Sequence, residues 1–163
     1  MSILEPLDLE TRSAADHHQS IRLWLRLLTC TNLIATQIRS NLRQEFDTTL
    51  PRFDLLSQLE RHPEGLKMGE LSKRMMVTSG NVTGITDQLE REGLVERLVD
   101  PEDRRSFTIR LTKSGLQHFQ HMASVHETWV IGFFAGISST EKDLLYGLLA
   151  KLKTHLNANQ EAI

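Results

Sequence analysis

Residues that interrupt helices are scarce and clustered in this 163-residue chain, and none falls between Ala14 and Phe46. A segment that long without Pro or Gly has no built-in breaker. Within it Ile21, Leu25, Leu28, Ala35, Ile38 and Leu42 recur near the helical period. The spacing predicts one helix of roughly eight turns. Pro51 then opens a second helix, Pro51–Arg61, where its missing N–H costs nothing, and His62-Pro-Glu-Gly65 ends it. A short third helix is expected over Gly69–Met75. A fourth is expected over Ser79–Glu92, with Thr78 as N-cap and Gly93 as terminator. Two β-rich runs follow, Leu94–Val99 and Phe107–Leu111, around the charged loop Asp100–Ser106. Thr112 caps a helix to about Phe134. After a break at Gly136–Ser139, a last amphipathic helix runs from Thr140 to about Asn157.

This order predicts a mainly α fold with a small β-hairpin wing: a winged helix-turn-helix between long N- and C-terminal helices. The expected organisation is residues 14–50 as an N-terminal helix, 51–111 as the winged helix-turn-helix and 112–157 as C-terminal helices. The middle segment can bury its own core. The flanking helices carry wide apolar faces that call for packing on one another or on a second copy.

Composition narrows the function. Hydrophobic residues are 39% and charged residues 25%, enough to form a core and too apolar for wholesale disorder. The net charge of −2 excludes a protein that coats nucleic acid by bulk positive charge, but not a local basic surface. The longest apolar run, Trp129–Ile137, contains two glycines and is far short of the ~20 residues of a membrane span. Met1–Glu10 carries Glu5, Asp8 and Glu10 and no basic residue, unlike a signal peptide. The single cysteine, Cys30, fits a reducing cytoplasm.

Leu66–Leu111 carries the chemistry. A short helix, a three-residue turn, a longer helix and a hairpin form the chain order in which the second helix enters a DNA major groove. Val82, Ile85 and Leu89 form the buried stripe of that helix. Ser79, Gly80, Asn81, Thr83 and Gly84 near its start are small or polar and can approach base edges. Its first-turn N–H groups can meet a phosphate. At the hairpin tip, Asp103-Arg104-Arg105 suits a probe of the minor groove or backbone, with Asp103 holding Arg105 extended through a charge-assisted hydrogen bond. Residues 67–113 hold nine basic and eight acidic side chains, so affinity must come from few phosphate contacts, doubled by dimerisation.

The run Val77–Arg97, the wing pattern Asp100-Pro-Glu-Asp-Arg-Arg105 and Leu111-Thr-Lys-Ser-Gly115 resemble the MarR (multiple antibiotic resistance regulator) family. The helix order matches over about residues 14–157. The resemblance implies a homodimeric winged-helix transcription factor on a double-stranded DNA operator, with the first and last two helices as dimer interface. It matches Arg105 to the wing-tip arginine, Asp103 to its partner, and Thr78–Gly84 to the start of the recognition helix. Gly84 departs from the pattern, since many members carry a basic or larger residue there. The resemblance also implies a small-molecule effector in a pocket between the first helix, the second helix and the helix after the wing. Arg22, Trp24, Arg26 and Arg43 are the candidates for stacking on and pairing with an anionic, aromatic effector.

Other inputs have less behind them. Peroxide-sensing members place a cysteine near the start of the first helix, and the matching position here is close to Leu25, so Cys30 is read as a buried small hydrophobe. The only tyrosine, Tyr146, lies in the last helix. His118 and His121 share a helix face, His126 follows, and His17 and His18 diverge. A closed zinc site needs about four ligands, so these are read as surface or interface histidines, and no metal or cofactor is expected. A metal- or redox-responsive regulator, or a helical interaction module that binds no DNA, are the alternatives. No phosphate loop, nucleophile elbow or clustered carboxylate pair supports an enzyme.

Overall fold

The computed structural model describes residues 19–75, 81–101, 103 and 106–160. The acidic leader, His17, His18 and the first residues of the expected first helix lie outside the described residues, as do Thr78, Ser79, Gly80, Arg104 and Arg105. The elements are α1 (Gln19–Phe46), α2 (Leu50–Glu60), β1 (Leu66–Lys67), α3 (Met68–Arg74), α4 (Val82–Arg91), β2 (Val95–Val99), β3 (Phe107–Leu111), α5 (Lys113–Phe133) and α6 (Ser139–Gln160). The chain divides into two compact units, residues 1–123 and 124–163.

In the first unit, the end of α1, helices α2 to α4, the sheet and the start of α5 enclose one core. Leu42, Leu55, Leu56, Leu59, Leu71, Leu89, Ile109 and Met122 are sealed from solvent. Each such side chain contributes about 1.5–3 kcal/mol. Phe53 of α2 packs on Phe119 of α5, ring centroids 5.4 Å apart, and Phe46 meets the His121 ring edge-on at 5.6 Å. Pro51 does sit in the first turn of α2, behind the N-cap Thr49.

The sheet has three strands, where the sequence showed two. β1 pairs antiparallel with β3, Leu66 opposite Ile109 and Lys67 opposite Thr108, giving the order β1-β3-β2. Two residues are too few to display the strand period. Gly65 makes the entry: it has φ +93°, and a Cβ there would strike the Thr108 side chain and the Ile109 carbonyl.

Three further expectations change. α4 begins at Val82, with Asn81 as N-cap instead of Thr78. Ile85 is only half-buried, and Thr86 takes its place in the core. A hydroxyl can be buried there because it donates to the Val82 carbonyl at 2.8 Å, so no polar group is orphaned. Cys30 is exposed on α1, not buried, because among the described residues only Ile38 and Leu42 of that helix, toward its C-terminal end, are buried.

In the second unit, α6 starts with a reciprocal cap. The Ser138 N–H and hydroxyl both donate to the Glu141 carboxylate, at 2.7 and 2.9 Å. These bonds hold the Glu141 carboxyl below its ordinary value. The cap is therefore complete at neutral pH and lost as pH falls through that lowered value. Leu144, Tyr146, Leu148 and Leu156 of α6 are exposed.

α5 starts against the turn that ends α4. Thr112 donates its hydroxyl to the Gly93 carbonyl at 2.7 Å and accepts from the Gly115 N–H at 2.9 Å, and its own N–H donates to the Leu94 carbonyl at 3.1 Å. Gly115 is obligatory there, since a Cβ would overlap the Leu94 carbonyl oxygen. Gly132, further along α5, faces open space. We therefore expect Gly115→Ala to destabilise the protein by about 3 kcal/mol, lowering Tm by roughly 10 °C. Gly132→Ala should leave thermal melting unchanged or raise it.

Candidate nucleic-acid interface

α3 and α4 pack on each other, and α4 has one buried edge, Val82, Thr86 and Leu89. Thr83, Gln88 and Arg91 are exposed, and Gly84, Ile85, Asp87 and Glu90 are half-buried. Of the residues expected at the DNA, the structure brings Asn81, Thr83 and Gly84 together in the first turn of α4. Thr83 presents its side chain outward. Asn81 is exposed, but its side-chain oxygen accepts from the Gly84 N–H at 3.0 Å. That oxygen caps the helix and is not free for a base edge. A Cβ at position 84 would come within 2.9 Å of the Asn81 amide nitrogen. The glycine thus leaves the cap undisturbed, a local reason for the small residue.

β2 and β3 pair in register from Val95 opposite Leu111 to Val99 opposite Phe107. The loop beyond is closed at its root, where the Asp100 N–H donates to the Ser106 carbonyl at 2.9 Å. Lys67 of β1 meets the Asp100 carboxylate at 3.5 Å, which ties the root to the third strand. The Ser106 N–H donates to the Asp103 carbonyl at 2.9 Å, and the Asp103 side chain is exposed. Arg110 and Glu96, opposite each other in the ladder, pair at 2.6 Å.

Charged residues that the sequence reading passed over tie these parts together. Arg97 of β2 reaches back to α4, where it pairs with Asp87 and, at 3.3 Å, with Glu90, while its guanidinium lies 5.2 Å from the Phe107 ring centroid. Arg52 of α2 pairs with Glu92 at the end of α4 and donates to Gln88 at 3.3 Å and to the Thr48 hydroxyl at 3.1 Å. The available signal was the acidic spacing of Asp87, Glu90 and Glu92 beside a helix expected to meet DNA. Its partners come from other elements and could not be read from the local sequence.

The four effector candidates are not brought into one pocket. Arg22 and Arg26 are one turn apart on an exposed strip of α1 with Gln19 and Leu23. Trp24 is exposed and lies around the helix from them. Arg43 is about 25 Å further along α1 and pairs with Asp47 at 3.3 Å. It lines a different, open cleft with Phe46, Thr48, Arg52 and His118, between the end of α1, the start of α2, the end of α4 and α5. Burial pushes the His126 imidazole below its ordinary value, and its ring meets Trp129 edge-on at 6.1 Å. Among the described residues, no three His, Cys, Asp or Glu side chains converge as a metal site, and no helix is long and apolar enough to cross a membrane.

Known proteins share this arrangement. The MarR family model matches residues 48–107, from the start of α2 to the first residue of β3. The HTH-type transcriptional regulator YkoM of Bacillus subtilis is 36% identical over 89 residues, covering 55% of this chain and 58% of that protein. A MarR family transcriptional regulator from Silicibacter pomeroyi superposes with a TM-score of 0.74 at 29% identity, over 87% of this chain and 99% of that one. The chain carries a MarR family domain over residues 48–107 and shares the fold of a MarR family regulator over 87% of its length. It is a winged-helix transcriptional regulator and not an enzyme. FabT of Streptococcus pneumoniae, solved in complex with DNA, superposes on this chain with a TM-score of 0.69 at 26% identity, over 85% of this chain and 98% of FabT.

The cap gives a direct test. Asn81→Ala should cost about 0.5–2 kcal/mol of stability, read by urea denaturation. It should also weaken DNA binding, because the first turn of α4 frays.

Proposed function

We propose that this regulator is a ligand-responsive repressor that binds a pseudo-palindromic operator as a homodimer in the cytoplasm. The observation that carries this reading is an α4 that exposes Asn81 and Thr83 at its start, in one unit with a β2–β3 hairpin whose root is tied by the Lys67–Asp100 clasp. α4 then lies in the major groove, with Thr78, Ser79, Gly80, Asn81, Thr83 and Gly84 at the base edges and phosphates. Asp103, Arg104 and Arg105 reach the flanking minor groove or backbone. A guanidinium sheds its water into that narrow, negative slot at less cost than an ammonium. The FabT complex supports the reading, since a chain of the same fold binds DNA.

The dimer is proposed to form through residues 14–50 and 112–157, with 51–111 as the DNA-binding domain. Ile21, Leu23, Trp24 and Leu33 on α1, and Leu144, Leu148 and Leu156 on α6, expose large apolar surface that a single chain leaves in water. A second copy covering α1 would also shield Cys30. The effector is proposed to be a small anionic, aromatic molecule. Arg22 and Arg26 offer one surface for it, with Trp24 exposed around the helix, and Arg43, with Arg52 and His118, lines the cleft beside α2.

Sedimentation at micromolar concentration should give twice the mass of one chain, and a clean monomer would remove the operator geometry as well. Footprinting should show symmetric protection at half-sites about 34 Å apart. Arg105→Ala should lower operator affinity at least about tenfold, from ~1–3 kcal/mol per contact and two contacts per dimer. Its melting curve should not move, because a single charge in a polar loop is expected to contribute little to folding. Asp103→Ala should lose less, since it only orients the arginine. Equal losses from both variants, with lowered Tm, would instead make the pair a structural clasp. If Arg105→Ala binds like wild type, the wing is not a DNA probe.

A further inference from the structure

A helix that enters a DNA groove approaches a dense array of negative phosphates, so its own carboxylates must be offset. α4 and its C-cap carry Asp87, Glu90 and Glu92 against a single basic residue, Arg91. Thr83, Asp87 and Glu90 recur at the spacing that places them along one side of the helix. Two carboxylates therefore stand directly behind the residue proposed to read bases. Their side chains are 45% and 38% exposed, too open for burial to mute their charge.

Each of these three carboxylates is met by an arginine from outside the helix. Arg97 of β2 takes both Asp87 and Glu90, and Arg52 of α2 takes Glu92. Arg97 is held for this task. Its side chain is only 28% exposed, it lies over the Phe107 ring, and its Nε, sealed from solvent, lies 3.3 Å from the Glu90 carboxylate in an ion pair without a hydrogen bond. The geometry points to Arg97 as a charge-masking and positioning residue for DNA binding: it cancels the Asp87 and Glu90 carboxylates and fixes the wing strand at a set distance from the reading helix. The inference rests on the DNA-binding reading above and concerns a residue that need not touch DNA.

Masking and mere bracing make different predictions. Arg97→Met keeps an apolar stem over Phe107 and removes the charge. We expect it to weaken binding about tenfold or more at low salt, with the deficit shrinking as salt rises and the screening length falls from about 30 Å at 0.01 M to about 8 Å at 0.15 M. Adding Asp87→Asn and Glu90→Gln to Arg97→Met should restore most of the affinity, because the charges needing cancellation are gone. With Arg97 kept, Asp87→Asn plus Glu90→Gln should bind at least as tightly as wild type, a comparison that stands even if Arg97→Met fails to fold. The probe is a duplex selected from a random pool by the wild-type protein, titrated by fluorescence anisotropy at several salt concentrations alongside melting curves. A triple variant as weak as Arg97→Met, a salt-independent deficit, or weaker binding by the double carboxamide variant would overturn the masking role. So would an Arg97→Met that binds like wild type. If the wild type selects no duplex, it is the DNA-binding reading that fails.

Discussion

The meeting of Leu94 with Gly115 is the contact on which the DNA-reading end of the molecule depends. The α5 backbone approaches the Leu94 carbonyl so closely that no side chain fits at position 115. Thr112 completes the joint by donating to Gly93 and capping α5 at Gly115. Gly93, with φ +72°, turns the chain out of α4 into β2. Since β3 ends at Leu111, both strands of the wing are rooted in this joint. The direction of the hairpin, the end of α4 and the start of α5 are set together, and none can shift without breaking these bonds. The Leu-Thr-x-x-Gly pattern thus has a physical content: a cap hydroxyl and an absent Cβ at a fixed spacing.

A second layer of order is electrostatic. α4 has few groups of its own to attract phosphate, and its carboxylates would oppose it. Arg97 and Arg52 tie those carboxylates to the wing and to α2. Their effect is on geometry and local field, which matter when a polyanion approaches. Arg52 also bonds Thr48 at the junction between α1 and α2, so the end of α4 is linked to the cleft lined by Arg43 and His118.

The apolar surface has a different logic. In the first unit the core closes on itself, and Leu42 is sealed near the end of α1. The earlier turns of that helix keep the same periodicity, yet Ile21 and Leu33 remain in water. Periodicity marks a face that wants cover but does not say which chain supplies it. The same limit explains Cys30. Its place in an apolar helix suggested burial, but among the described residues nothing buries it.

The sequence by itself determined the element order, the α2, β3 and α5 boundaries to within about two residues, and the presence of a wing, because helical period, strand alternation and capping residues act over a few neighbours. The charged loop and the small residues opening α4 were legible for the same reason. Only the tertiary structure decided the two-residue strand β1, whose identity comes from pairing with β3 across forty residues of chain, and the start of α4, where Asn81 and not Thr78 makes the cap bond. It alone decided that Thr86 is buried in place of Ile85, since a hydroxyl satisfied by its own helix can enter a core. It also decided the partners of Asp87, Glu90 and Glu92 and separated Arg43 from Arg22 and Arg26. Charge is written in the sequence, but which charges meet depends on how distant segments fold together.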